Sequence, residues 1–410
     1  MQPSRTHRRL TEVHHYLTLA IAVLLPLSKK LIPPLIILWV LNSFFLFSRR
    51  NARMVWSTLL PMALYYICNV LWLFPSQDRD AALFSLEVKA SLLVFPMVWM
   101  FLPSLSLRKR LDVLLALVWG CLIFVVASLI KAGVLYSQTG DPNVFYYDDL
   151  AWIFHPTYLA TYEAFALVVL GRMYIKKVFA LGRPWLHHLS AAVLIVHIGL
   201  LSSKAGYLCA LLAMLLVAIQ QLRKKRTLEA VGYMVLGTGL LFATIMVSPA
   251  ALSRVQETTS AGQELENVLG DEEDTHVVAT SSSGARLVAW RSAWEVLMKN
   301  PLGVGTGDVV PELMKIYQRD NEEYAYRKQM NPHNQFLQAG VAFGWIGMLV
   351  LLVIFLMGLR LALKRKDFLL LAFLLLLGMN MLFESFLEVQ SGVVFFAFFF
   401  GFFARSPLRG

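Results

Sequence analysis

Apolar residues in this chain come in long unbroken runs. They show neither the strict alternation of a half-buried strand nor the narrow stripe of a surface helix. The runs fall at 13–28, 31–48, 54–75, 81–102, 111–135, 155–175, 187–203, 205–222, 228–249, 335–359, 367–384 and 389–404. An α-helix needs about 20 apolar residues to cross roughly 30 Å of hydrocarbon, so the pattern predicts an all-α, polytopic membrane protein of about twelve spans. The first two runs are the least well separated, with Lys29-Lys30 and then Pro33-Pro34 between them, and a re-entrant pair or one broken hairpin fits the same residues. One connection is long. It divides the chain into residues 1–249 with nine spans, 250–334 as one large loop, and 335–410 with three spans and a short tail. Within the loop, 258–283 carries Asp271-Glu272-Glu273-Asp274 and Ser281-Ser282-Ser283 and is expected to be mobile. Leu287, Trp290, Trp294 and Leu297 then recur at helical spacing up to Pro301, Gly303, Gly305 and Gly307, which end that helix. A second, polar helix is expected over about 308–328.

Composition agrees with this layout: 58% of the 410 residues are hydrophobic and 15% charged, whereas a soluble domain needs about a quarter charged. The net charge of +11 marks either nucleic-acid binding or cytoplasmic loops, and its distribution decides. With the N-terminus inside, 23 of the 37 Lys and Arg fall in cytoplasmic segments. The short opposite connections hold only Lys29, Lys30, Arg79 and Lys204, and the long loop has 8 Lys/Arg against 13 Asp/Glu. Both termini are therefore expected in the cytoplasm and the large loop outside, and no nucleic-acid partner is implied. Cys68, Cys121 and Cys209 all lie inside spans, so no disulfide or metal framework is expected. The first run has no small-residue cleavage site and is expected to stay in the protein. No internal repeat is visible.

Ionisable groups inside a bilayer cost roughly 2.5–3.5 kcal/mol at a helix centre, which makes each a candidate for function. Here they gather on the outer side: Glu87 and Lys89, His155, Lys204, Arg286 and Arg291, His333, Glu384 and Glu388. A snorkelling or capping role is the plain alternative for each, but the shared side sets the group apart. His333 stands in Asn331-Pro332-His333-Asn334-Gln335, where amide neighbours can orient a neutral imidazole for general-base work on a hydroxyl. Arg286 heads the loop helix, where its planar fork and free backbone N–H groups suit an anion. Arg291 is a further candidate, although positions five apart on a helix diverge by about 140°. Lys204, in Ser202-Ser203-Lys204-Ala205-Gly206, offers a cation at the head of the eighth span. Gly303-Val304-Gly305-Thr306-Gly307 follows a helix and not a strand, so it is expected to make turns and not to cradle phosphate.

Ser203-Lys204-Ala205-Gly206, then Gly284-Ala285-Arg286-Leu287 with Trp290, Asn300-Pro301-Leu302-Gly303-Val304-Gly305, and His333-Asn334 before a Gly-rich span together resemble the O-antigen ligase and polymerase family of bacterial envelope glycosyltransferases. The resemblance implies a GT-C-like all-α fold in the inner membrane and a periplasmic site. It also implies a metal-independent reaction without cofactor, using an undecaprenyl-diphosphate-linked glycan as donor. It puts the family's loop arginine on Arg286 and its essential histidine on His333. Another family arginine falls on Lys204, a departure that keeps the charge but not the bidentate fork. Arg286, Lys204 and Arg291 would then hold the diphosphate, His333 would act as base in an inverting displacement, Glu384 or Glu388 would orient the base or the acceptor, and His155, Lys89 and Asn334 would position the acceptor. Lipid A-core, a growing glycan and a protein are all acceptors used within the family, and lipid A-core is the expectation here. Outside the family, a polyprenyl-glycan transporter would carry midplane charges in repeated halves, and a non-catalytic envelope scaffold would use the loop for docking.

Overall fold

The computed structural model describes residues 5–48, 56–178, 181–253 and 282–405, and every regular element among them is helical. In chain order these are α1 (Arg5–Leu24), α2 (Ile32–Phe44), α3 (Trp56–Leu71), α4 (Arg79–Lys89), α5 (Ser91–Phe101), α6 (Leu107–Thr139), α7 (Tyr147–Ala151), α8 (Pro156–Ile175), α9 (Pro184–Leu200), α10 (Lys204–Arg223), α11 (Thr227–Val247), α12 (Ser282–Lys299), α13 (Val309–Arg319), α14 (Glu323–Arg327), α15 (Gln335–Arg365), α16 (Phe368–Met381) and α17 (Gln390–Arg405). Each apolar run of the sequence coincides with one of these helices or, for 81–102, with the consecutive pair α4 and α5. Among the described residues, five stretches are long and apolar enough to cross a membrane: Arg79–Phe101, Leu107–Thr139, Lys204–Arg223, Thr227–Val247 and Gln335–Arg365. Their outer faces stay apolar. Val235 and Leu236 on α11 are 62% and 74% exposed, a surface suited to lipid contact. The architecture is that of a polytopic membrane protein.

Two helices form the centre. Every residue of α8 from Pro156 to Gly171 is buried, as is every residue of α17 from Ser391 to Arg405. A helix apolar all round is one enclosed by others. In lipid the hydrophobic effect gives little reason for helices to meet, so close van der Waals packing must hold them. Phe165 of α8 meets Phe373 of α16 and Phe395 and Phe399 of α17 edge to face, with ring centroids 5.2, 6.2 and 5.7 Å away. Where backbones approach most closely the residue is Gly: a Cβ on Gly401 would stand 2.3 Å from the Trp99 ring.

The sequence pattern did not anticipate a break in α15. Gly344 adopts φ 65° and ψ −157°, which interrupts the helical hydrogen bonding between Phe343 and Trp345. The freed backbone groups are taken up by the Gly-rich turn after α12: Val304 N donates to Val341 O (2.9 Å), Gly305 N to Ala342 O (3.1 Å), and Trp345 N to Pro301 O (3.1 Å). The 303–307 run is thus turn-forming, as expected, and also caps a broken helix.

Between α11 and α15, α12 packs on α15, α13 and α14 and buries Ala285, Val288, Ala289, Ser292, Ala293, Val296 and Leu297. The expected apolar stripe through Trp294 is corrected: that ring is 48% exposed and lies edge-on to Trp345, because the small side chains one step round allow the closer helix approach. The single helix expected over 308–328 is also corrected. It divides into α13 and α14 at Asp320–Glu322, where Asn321 takes φ 56°. The fork of Arg319 on Glu295 (2.5 and 2.9 Å) ties α13 back to α12. The segment 258–283, expected to be mobile, lies outside the described residues apart from its last two, which open α12.

The interlock predicts a sharp difference among glycines. A Cβ on Gly344 would meet Pro301 O at 2.0 Å, whereas one on Gly133 or Gly239, inside α6 and α11, meets nothing within 4 Å. Gly344→Ala is therefore expected to cost more than about 1 kcal/mol, and Gly133→Ala and Gly239→Ala to be neutral or to stabilise by about 0.5–1 kcal/mol. Thermal unfolding of the detergent-solubilised variants measures this, and equal midpoints for all three would contradict the account.

Candidate functional site

The turn that leads into α15 sets the position of His333. Asn331 Oδ1 accepts from His333 N (2.9 Å), and Asn334 Oδ1 caps α15 by accepting from Phe336 N and Leu337 N (2.9 and 3.1 Å). Between them His333 is held at φ 44°, a left-handed conformation that His enters more readily than most residues. Asn334 Nδ2 also donates to Leu382 O (3.1 Å) and Ser385 Oγ to Asn331 Oδ1 (3.3 Å), which pins this turn to the one after α16.

That second turn carries Glu384, which is 6% exposed. His333 Nδ1 lies 3.1 Å from Glu384 Oε1, and Arg286 Nη2 lies 3.7 Å from Glu384 Oε2. One buried carboxylate therefore joins the histidine at the head of α15 to the arginine of α12. With the imidazole proton on Nδ1, donated to the carboxylate, the free lone pair falls on Nε2, the arrangement by which an acid side chain fixes a basic histidine. His333 and Arg286 are about a quarter exposed, so both remain reachable. Burial works against the charge on Glu384. The hydrogen bond from His333 and the neighbouring His333, His155 and Arg286 nevertheless hold its carboxyl below the ordinary value.

Lys204 joins the group through the same loop helix. Its Nζ donates to Ser283 Oγ (2.6 Å), and Ser283 is one turn ahead of Arg286 on α12, so the two cations flank the start of that helix. Ser203 caps α10 by accepting from Gly206 N (3.2 Å) and pairs with Thr157 (2.9 Å) at the head of α8. His155, the N-cap of α8, lies within electrostatic reach of Glu384, Arg286 and His333. Arg291 is exposed and sits about 140° round α12 from Arg286, apart from the cluster.

Lys89 and Glu388 form an adjacent network. Lys89, 2% exposed, pairs with Glu388 at 2.7 Å. Gln335 donates to Glu388 (3.2 Å) and Tyr65 (3.3 Å) and accepts from Leu387 N (2.6 Å). This holds the 386–388 turn, and hence Glu384, against the first turn of α15. Gln335 and Tyr65 were not singled out from the sequence: an amide at a helix start and a tyrosine inside an apolar run carry no signal of their own. A second buried set was also passed over. Glu163 of α8 meets His197 of α9 at 2.8 Å, and His197 meets Ser128 of α6 at 3.0 Å. An acid and a histidine in the middle of apolar runs were the available sign.

With this geometry in view, comparison with known families adds that residues 189–352 match the family model described as O-antigen ligase. The matched stretch holds Lys204, Arg286, Arg291, His333 and Asn334, while Lys89, His155, Glu384 and Glu388 lie outside it. Over these residues the chain is similar to the family that its sequence motifs resemble. A search of curated proteins finds no match.

The lowered carboxyl of Glu384 gives the fold a pH dependence of definite sign. Its contribution is present above the unfolded value, near 4.5, and is lost as pH falls through the lower folded value. Glu384→Gln is expected to cost about 1–3 kcal/mol near neutrality. Unfolding midpoints measured from about pH 7 down to about pH 3 are expected to converge for wild type and variant below pH 4.5. A gap that stays constant over that range would contradict the assignment.

Proposed function

Taking 189–352 as an O-antigen ligase domain, we propose that the chain is a membrane glycosyltransferase that moves a glycan from an undecaprenyl-diphosphate carrier to a lipid A-core hydroxyl at the periplasmic face of the bacterial inner membrane. The observation that carries this reading is the single carboxylate of Glu384 with His333 on one oxygen and Arg286 on the other. His333 Nε2 accepts the proton of the acceptor hydroxyl while that oxygen attacks the anomeric carbon. The bond from that carbon to the diphosphate oxygen breaks on the opposite side, the configuration inverts, and undecaprenyl diphosphate leaves with its charge balanced by Arg286 and Lys204. Arg286 supplies the planar fork, whereas Lys204 acts as a point charge. The Glu384 carboxylate keeps the imidazole in the required tautomer and stabilises the imidazolium that forms. About twelve spans with both termini in the cytoplasm place the 250–334 loop and these residues outside.

Polymerisation of repeat units, or transfer to a protein, would use the same constellation, and the acceptor that consumes the lipid-linked glycan distinguishes them. A transporter is disfavoured because Lys204 and Arg286 lie at one end of the bundle and not at its midplane, and the halves are not alike.

In a reconstituted membrane assay, His333→Ala is expected to lower the transfer rate by about 10²–10⁴-fold, the usual worth of a general base, with the protein level unchanged. Arg286→Lys, which keeps the charge and loses the fork, is expected to lower it by about tenfold or more. Full activity in His333→Ala would overturn the base assignment.

A further inference from the structure

The opposite end of the bundle holds a second site that glycan transfer does not use. Where the C-terminal end of α8 and the end of α10 meet α9 and the start of α11, a cavity of about 420 Å³ is lined by Tyr174, His188, Gln221, Glu229, Gly232 and Tyr233, together with aliphatic side chains. Tyr174 is eighteen residues along α8 from Pro156, about 27 Å from the catalytic end at 1.5 Å per residue. The volume falls within the range of small-ligand pockets. A smaller cavity adjoins it and shares Tyr174, His188, Ala191, Gln221 and Tyr233.

The lining is mostly apolar, yet two of the lining residues each carry a buried polar atom without a hydrogen-bond partner among the described residues. These are the Gln221 side-chain oxygen, on a residue 3% exposed, and the Tyr233 hydroxyl. A buried acceptor left unpaired costs about 1–3 kcal/mol, so such a group marks a place where something else donates. Glu229, an exposed residue of the same wall, supplies an anion and pairs with Arg226 at 3.2 Å. Immediately beyond Gln221 the chain reads Arg223-Lys224-Lys225-Arg226 and folds back, with Arg226 N donating to Gln221 O (3.0 Å). The outer wall is α11, whose Val231, Val235 and Leu236 are exposed and face the region where lipid tails would lie.

We propose that this cavity binds the headgroup of an aminophospholipid. Its ammonium donates to Gln221 Oε1 and pairs with Glu229 between the Tyr174 and Tyr233 rings, its phosphate lies toward the basic 223–226 turn, and its acyl chains run along α11. The aromatic rings and Gln221 line the inside, and the exposed Glu229 carboxylate stands at the rim close to the basic 223–226 turn, a set that matches a zwitterion with its amine innermost. A purely anionic headgroup would meet Glu229. The site stands independently of the transferase reading.

The test is native mass spectrometry of the delipidated full chain titrated separately with phosphatidylethanolamine, phosphatidylcholine and phosphatidylglycerol of identical tails. Phosphatidylcholine keeps the positive charge and lacks the N–H donors. Phosphatidylethanolamine is expected to be retained about tenfold better than either, the effect of roughly one buried charge-assisted hydrogen bond. Gln221→Leu is expected to bring it down to the phosphatidylcholine level. Gly232 lies in the wall, and a Cβ there meets nothing within 4 Å, so Gly232→Phe fills the cavity without a clash at its first atom. It is expected to abolish the preference, with circular dichroism confirming native helix content. Equal retention of the amine and choline lipids, preferential retention of phosphatidylglycerol, or an undiminished preference in Gly232→Phe would each overturn the proposal.

Discussion

A buried carboxylate must find partners or lose its charge, and the outer end of this molecule is arranged around one. Glu384 lies in the turn between α16 and α17, almost wholly covered, and meets that requirement with His333 from the head of α15 and Arg286 from α12. Three segments far apart in the chain are drawn to one point. Removing the charge would release the histidine from its orientation and leave the arginine facing an uncharged neighbour. The contact that is structurally needed is also the one that, in the proposed mechanism, prepares His333 to take a proton.

Such a cluster works only if the elements beneath it are rigid, and the break in α15 contributes to this. A continuous helix from Gln335 to Arg365 would run straight past the loop. The left-handed Gly344 instead opens a gap into which Gly303 to Gly305 insert, so the loop backbone completes the helix and the helix fixes the loop. Because α12 ends at Lys299, just before that insertion, the position of Arg286 follows from the same interlock. On the other side, the Lys89–Glu388 pair and Gln335 hold the 386–388 turn against α15. The site is therefore braced from both the loop and the bundle.

Much of this was legible in the amino-acid sequence. Apolar run length located the helices because a membrane core demands it, and polar residues at the ends of those runs pointed to Lys204, Arg286, His333 and Glu384. What stayed hidden depends on backbone geometry and side-chain direction. The break at Gly344 looked like one more glycine in a Gly-rich span. The buried face of α12 is made of Ala, Ser and Val with Leu297, and the aromatic Trp294 beside it stays exposed. Asn321 ends α13 early by taking a left-handed conformation, which Asn enters more readily than most residues, a stop signal that lies within an otherwise helical run. The pairing of Glu384 with His333 joins residues 51 positions apart, and no local pattern encodes such a contact.

The central claim is that His333 and Glu384 act as one unit in proton transfer. A double-mutant cycle on the single-turnover transfer rate tests it most directly, comparing wild type, Glu384→Gln, His333→Ala and the double variant, with folding checked for each. Residues that act as a unit are strongly non-additive, so Glu384→Gln is predicted to slow the wild type substantially and to slow the His333→Ala protein little further. Equal slowing in both backgrounds would contradict the account, because the carboxylate would then contribute without the histidine.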